Sequence, residues 1–253
     1  MYIIAGDSWG CGEWDTVGNS HPGLVQYMRD AEFETVNLSL GGGSNWQTYR
    51  RLQSFLESGV CQYLTCSVDR IFIFQTEWFR DIKSQMYETS QILNSMQEKR
   101  STNYVLSQYS VESSAIVIGN WYHRLSELSQ QYHIPISLLG GCGEPMWIDN
   151  FEQEYPGVSI ACQSITNLCI DHQHRVDVPV TGFAWDTDLV EKCKKVAVDT
   201  AALEFLMQEI KRGETQMAKW ESSTEWFGPD HRHANRHAHY KLFEFLQDLK
   251  LIV

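Results

Sequence analysis

Two short blocks at opposite ends of the chain carry residue types that can do chemistry together, and a third stands ready to support them. Gly6-Asp7-Ser8 directly follows an apolar run at the N-terminus. This spacing puts the Ser8 hydroxyl at the carboxyl end of a first strand, where ligands bind in open α/β sheets. Near the other end, Pro229-Asp230-His231-Arg232-His233-Ala234-Asn235-Arg236-His237-Ala238-His239 opens a segment of helical period. A serine hydroxyl is a weak nucleophile until an imidazole removes its proton, and that imidazole must be held in one tautomer by a carboxylate. Asp230 and His233, three residues apart, can supply both groups from one tight turn. The third block, Asn37-Leu38-Ser39-Leu40-Gly41-Gly42-Gly43-Ser44-Asn45, is a glycine-rich loop that leads into a helix.

The elements that must position these blocks follow from periodicity. Short apolar runs at residues 2–5, 35–38, 70–75 and 134–139, with a further one at 158–161, read as strands. Segments of helical period lie at residues 22–31, where Pro22 suits a first helical position, and at 44–57, where Ser44 can cap. Longer ones lie within 85–131 and at 188–211, the latter ending at Arg212-Gly213 as a C-cap glycine predicts. In a last helix over 235–249, Ala238, Leu242, Phe245, Leu246 and Leu249 share one stripe. Strands alternating with helices predict an α/β fold, a three-layer α/β/α sandwich around a central parallel sheet. Residues 140–180, rich in Gly, Pro, Asp and His, read as loop.

Composition narrows the function classes. The 253 residues, 43% of them hydrophobic, suffice for one domain spanning 1–253, with a substrate-specific insertion or long loops expected within 85–180. A net charge of -12 leaves no excess of Lys and Arg to neutralise phosphates, so nucleic acid is not an expected partner. No segment approaches the roughly 20 apolar residues of a membrane span, and the N-terminus carries no signal-peptide pattern, so a cytoplasmic protein is expected. The seven cysteines form no CxxC pair or zinc-ligand spacing and read as free thiols, small buried hydrophobes in a reducing compartment. Oligomeric state is not encoded in any pattern found.

Together the three blocks resemble the SGNH (GDSL-type) hydrolases. The last block of that family has the form D-x-x-H-x-N followed four residues later by a His, and Asp230, His233, Asn235 and His239 stand at those places. The resemblance implies an SGNH/flavodoxin-like fold with Ser8 as nucleophile, His233 as general base and then general acid, and Asp230 orienting it. Asn235 and His239 are then supports, Asn235 as a helix cap. The loop 37–45 is similar to the family's second block, which implies an oxyanion hole from the main-chain N–H groups of Ser8 and Gly42. The third block departs from the pattern. Where the family has an oxyanion-binding Asn, this chain reads Phe74-Gln75-Thr76-Glu77-Trp78, and an ionised Glu77 is an acceptor only. Asn45, Gln75 or Thr76 can stand in as donor, with Asn45 first among them, or the two backbone groups serve alone.

Other readings of the same residues compete. Gly6-Asp7-Ser8-Trp9-Gly10 also satisfies the G-x-S-x-G nucleophile elbow, but that elbow lies deep in its chains with acid and histidine on separate loops. His231, His233, His237 and His239 could converge on a metal, although no HExxH or partner motif accompanies them. Trp9, Trp46 and Trp78, with Trp14 near the first block, could form an aromatic platform for a sugar or acyl chain, with Glu77 beside it; burial in the core is the other reading. The expected activity is hydrolysis of an ester, of O-acetylated carbohydrate or a short-chain acyl group, through an acyl-serine and without metal or organic cofactor. The alternative is a non-catalytic SGNH-like module that binds a glycan or a protein.

Overall fold

The computed structural model describes residues 1–60, 66–77, 81, 111–141, 143–146, 148–175, 204, 207–208, 211, 219, 223–228 and 233–253. At its centre is a parallel sheet of β1 (Tyr2–Gly6), β4 (Thr35–Asn37), β5 (Arg70–Gln75), β6 (Ile136–Gly140) and β7 (Val158–Cys162), in the order β4-β1-β5-β6-β7. Ile3 pairs with Val36 on one side and Ile71 on the other, so β1 is fully enclosed. The order reverses direction between β1 and β5. In a doubly wound sheet that switch point leaves a crevice at the carboxyl ends of the strands, and β1 delivers the chain into it.

Side-chain alternation along the strands builds two cores. Ile3, Ala5, Ile71, Ile73, Ile136 and Leu138 point to one face, against Leu52 of α3 (Asn45–Glu57) and Tyr122 and Leu125 of α4 (Val111–Tyr132). Tyr2, Ile4, Phe72 and Phe74 point to the other, against Met28 of α2 (Leu24–Asp30), Leu168 of α6 (Ile165–Ile170), and Leu242 and Leu246 of α7 (Arg236–Asp248). Layers of helix on both faces make the three-layer α/β/α sandwich expected from the sequence. Among the described residues no helix is long and apolar enough to cross a membrane.

Several boundaries and elements differ from expectation. Gly23, with φ of +61°, precedes α2, so Pro22 lies before the helix rather than in its first turn. The buried stripe of α7 uses Phe243 where Phe245 was expected, because Ala238, Leu242 and Leu246 define a face rotated toward His239 and Phe243. Residues 140–180 are not simply loop: besides β7, which stands where a strand was expected at 158–161, they hold α5 (Phe151–Glu154) and α6, each anchored in a core by apolar residues. Two short elements near the N-terminus had no periodic signal, the single-turn α1 (Ser8–Cys11) and a hairpin of β2 (Glu13–Trp14) with β3 (Asn19–His21). The helix expected at 188–211 and the part of 85–131 before residue 111 lie almost wholly outside the described residues.

Gly6 is required where β1 ends. Its φ is +140°, and a Cβ there would sit 2.6 Å from the Phe74 carbonyl oxygen of the adjacent strand. Main chain against main chain cannot yield cheaply, so Gly6→Ala is expected to cost more than about 3 kcal/mol, measured as a loss of unfolding free energy in urea.

Candidate active site

The nucleophile candidate sits on the turn that β1 forces. Beyond Gly6, Asp7 adopts an extended conformation and caps α1, its Oδ1 accepting from Trp9 N at 3.0 Å. Ser8 is therefore the first residue of that turn, with only 8% of its surface exposed. His233 reaches it from the far end of the chain: His233 Nε2 lies 2.7 Å from Ser8 Oγ. An imidazole nitrogen at that distance can accept the hydroxyl proton.

His233 is held by the base of its loop. Phe227 and Ala234 form an isolated antiparallel bridge, Gly228 N donates to His233 O at 2.8 Å, and Asn235 N donates to Trp226 O at 2.9 Å. Phe227 is buried against the ring of Trp9, which roots this loop in the core. Asn235 caps α7 as expected: its Oδ1 accepts from His237 N and Ala238 N, while its Nδ2 donates to Glu225 O. Asp230, the expected orienting carboxylate, lies outside the described residues, as do His231 and Trp78.

The N-terminal hairpin braces both partners, a role no sequence block announced. Trp14 Nε1 donates to Ser8 O at 2.8 Å, and its ring lies 5.7 Å from the ring of His233. The same indole packs against Gly41, where an added Cβ would meet it at 3.3 Å. Glu13 accepts from both the main-chain N and the Nε of Arg236, each at 2.8 Å, tying the hairpin to the first turn of α7. The local signal was Asp15-Thr16-Val17-Gly18: Asp15 Oδ1 accepts from Val17 N and Gly18 N, a turn that aspartate favours.

The glycine loop is strapped to the nucleophile's turn. Leu40 N donates to Gly6 O at 2.9 Å, and Asn37 Nδ2 donates to Gly10 O at 3.0 Å. Gly43 N donates to Leu40 O across a tight turn in which Gly42 has a φ of +73°. An added Cβ at Gly42 would meet nothing within 4 Å, so its main chain borders open space. Ser44 and Gln47 then form a reciprocal capping box that starts α3.

The side chains considered as extra oxyanion donors are committed to one another. Asn45 Nδ2 donates to Thr76 O at 2.9 Å and to Asp81 Oδ2 at 3.3 Å, while Thr76 N donates to Asn45 Oδ1 at 3.0 Å. Thr76 Oγ1 donates to Glu77 Oε2 at 2.7 Å, and Gln75 Nε2 to Glu144 O at 3.0 Å. Glu77 is buried, with 3% of its surface exposed. Of the aromatic candidates, Trp9 is 1% exposed and belongs to the core, whereas Trp46 is 38% exposed and stacks on Tyr49. Trp46 and Asp81 border a cavity of about 530 Å³ between α3 and α4, and Tyr240 and Lys241 border a groove of about 630 Å³ beside α7. Neither Ser8 nor His233 is among the described residues that line these two spaces.

The histidines do not form a metal cluster among the described residues. His233 precedes α7, so it does not share a helical face with His237, which is exposed. His239 is buried against Gly23 and Phe74, with neither ring nitrogen hydrogen-bonded. Burial, and secondarily the neighbouring His21, pushes its pKa down to about 4. The four described cysteines are free; burial raises the Cys11 thiol above its ordinary range and pushes Cys169 up to about 12.

Trp14→Phe keeps a ring beside His233 but removes the indole donor, and is expected to cost about 1 kcal/mol; Trp14→Ala costs more. Urea unfolding of both variants measures this. His239 supplies a pH test. Its folded pKa lies below the ordinary 6.5, so the unfolded chain takes the proton first and stability declines as pH falls from 6.5 toward about 4. That decline is on the order of 3 kcal/mol, and the difference between wild type and His239→Leu across pH 7 to 4.5 should show it.

No protein-family model and no curated protein sequence matches the chain. Among solved structures it is similar to TesA, at 12% identity and a TM-score of 0.43, over 100% of this chain and 99% of that one. It is similar to the acetyl xylan esterase AlAXEase at 12% identity and a TM-score of 0.41, over 98% and 99%. An acetyl xylan esterase from Geobacillus stearothermophilus shows 14% identity and a TM-score of 0.37, over 100% and 95%. Likeness this remote bears on neither activity nor substrate.

Proposed function

We propose that this chain is a serine hydrolase of the SGNH type that cleaves a carboxylic ester through an acyl-Ser8 intermediate. The observation that carries the reading is the 2.7 Å approach of His233 Nε2 to Ser8 Oγ. A structural serine and histidine have no need to meet at a sheet's switch point beside an open glycine turn. A nucleophile and its base do.

In the proposed reaction His233 takes the Ser8 proton as Oγ attacks the carbonyl carbon. The tetrahedral oxyanion is received by the main-chain N–H of Ser8, a first-turn amide of α1 with no intrahelical acceptor, and by that of Gly42 in the open turn ahead of α3. His233 then gives its proton to the departing alkoxide as the ester C–O bond breaks. Water attacks the acyl-Ser8, His233 again accepts the proton, and collapse releases the carboxylic acid and restores the Ser8 hydroxyl. Asp230 orients the imidazole and offsets its transient charge. Asn45, first proposed as a donor in the hole, serves as its frame instead, because both of its amide hydrogens are directed at Thr76 and Asp81. The substrate class proposed is O-acetylated carbohydrate, then short-chain acyl esters, with the exposed ring of Trp46 as a surface for the alcohol portion. No metal or organic cofactor enters this sequence of steps.

A fluorophosphonate probe at pH 6 to 9, together with a panel of nitrophenyl esters and acetylated sugars, tests the reading. Wild type is expected to label and turn over, Ser8→Ala to do neither, and Asp230→Asn to lose about 10⁴-fold in kcat. Absence of labelling across that range favours the non-catalytic binding module, to which the buried Glu77 in the third block points.

A further inference from the structure

Two consecutive residues at the start of α3 converge on one buried carboxylate. Asp81, 5% exposed, accepts from Trp46 N through Oδ1 at 2.8 Å and from Asn45 Nδ2 through Oδ2 at 3.3 Å. Ser44 is the N-cap, and Asn45 and Trp46 are the first two residues of the helix. Only Gly43 separates Gly42 from that cap. On its other side Asn45 exchanges two hydrogen bonds with the main chain of Thr76 at the end of β5. The mouth of β5, the cap of α3 and the open glycine turn are thus one clamped unit, and Asp81 closes the clamp.

We propose that Asp81 is a positioning residue for the oxyanion loop, acting through Asn45 and Trp46, and that full turnover requires its carboxylate to be ionised. The inference rests on reading Ser8 as the nucleophile of an ester hydrolase. An ionised carboxylate at a helix N-terminus offers acceptors to the unpaired amides and complements the helix dipole. A protonated one gives up an acceptor and the charge, and Asn45 and Trp46 then lose the point on which they are held. Among the described residues, the charged or titratable groups around it are Glu77 from the end of β5 and His123, Arg124 and Glu127 of α4, which line the same cavity. Burial pushes the Asp81 pKa up to about 6, and Glu77 adds to the rise against the hydrogen bonds that lower it. The proton therefore arrives within reach of ordinary assay conditions.

The test is the acid limb of kcat for an activated acetyl ester, in the full chain, for wild type, Asp81→Asn and Asp81→Glu. The ratio of wild-type to Asp81→Asn kcat is expected to fall toward 1 as pH drops through about 6, where Asp81 takes its proton. Asp81→Asn presents an amide to the amide of Asn45, so its plateau kcat at pH 8 is expected to drop about 10-fold to 100-fold, short of losing a whole oxyanion donor. Its KM should change little, while Asp81→Glu recovers part of the plateau. Stability should move the other way. Ionising Asp81 costs folding free energy as pH rises from its ordinary 3.8 through about 6, so the Tm of Asp81→Asn should gain on wild type over that interval. An Asp81→Asn enzyme with unchanged kcat, or one whose deficit against wild type stays constant from about pH 8 to pH 5, overturns the inference while leaving the hydrolase reading in place. A wild type without Ser8-dependent turnover overturns both.

Discussion

The contact between Ser8 Oγ and His233 Nε2 joins side chains 225 positions apart, and much of the remaining structure is what it takes to keep them there. A hydrogen bond contributes only about 1 kcal/mol net, too little to gather two chain ends by itself. The gathering is done by apolar burial. β1 lies inside the sheet, between β4 and β5, and α7 lies across its face, with Ala238, Leu242 and Leu246 inside the same core as Ile4 and Phe74. Once those layers have formed, the last residue of β1 and the first turn of α7 are rigidly related. The serine and the histidine need only short local geometry to meet.

That local geometry is supplied redundantly. Gly6 lets β1 pass beside Phe74, Asp7 caps the turn that carries Ser8, and the Phe227–Ala234 bridge closes the loop that carries His233. The Glu13–Arg236 pair and the indole of Trp14 then lock the two together from the N-terminal hairpin. Arg236 is largely in solvent, so its ion pair alone would contribute little; its value lies in also bringing Glu13 to the main-chain N–H of the first helical residue.

The third block illustrates how a departure from a familiar pattern can be absorbed. Gln75 bonds inward to Tyr122 and Glu144, and Thr76 pairs with Asn45. These donors are consumed in joining β5 to α3 and to the loop after β6, leaving main-chain groups at the glycine turn as the ones next to open space. A buried carboxylate at such a junction is costly to ionise, a cost that the hydrogen bonds from Asn45 Nδ2 and Trp46 N at the helix start offset in part.

The strands and the principal helices were legible because their signals are local and additive. Runs such as Arg70–Gln75 and the stripe Ala238, Leu242, Leu246 declare their faces through periodicity alone. The cap at Ser44 and the cap at Asn235 were legible for the same reason, since a capping side chain acts within three residues of itself. Ser8, His233 and Gly42 were singled out through short blocks of residue types that the proposed chemistry would require. The hairpin, α1, α5 and α6 were not, because strands of two and three residues and helices of four to six complete less than two periods of their patterns. Nor could sequence decide between a surface platform and core for Trp9, or pair Asn45 with Thr76 and Asp81. Those outcomes depend on which elements the sheet order brings side by side, and contacts between residues far apart in the chain leave no trace in its local pattern.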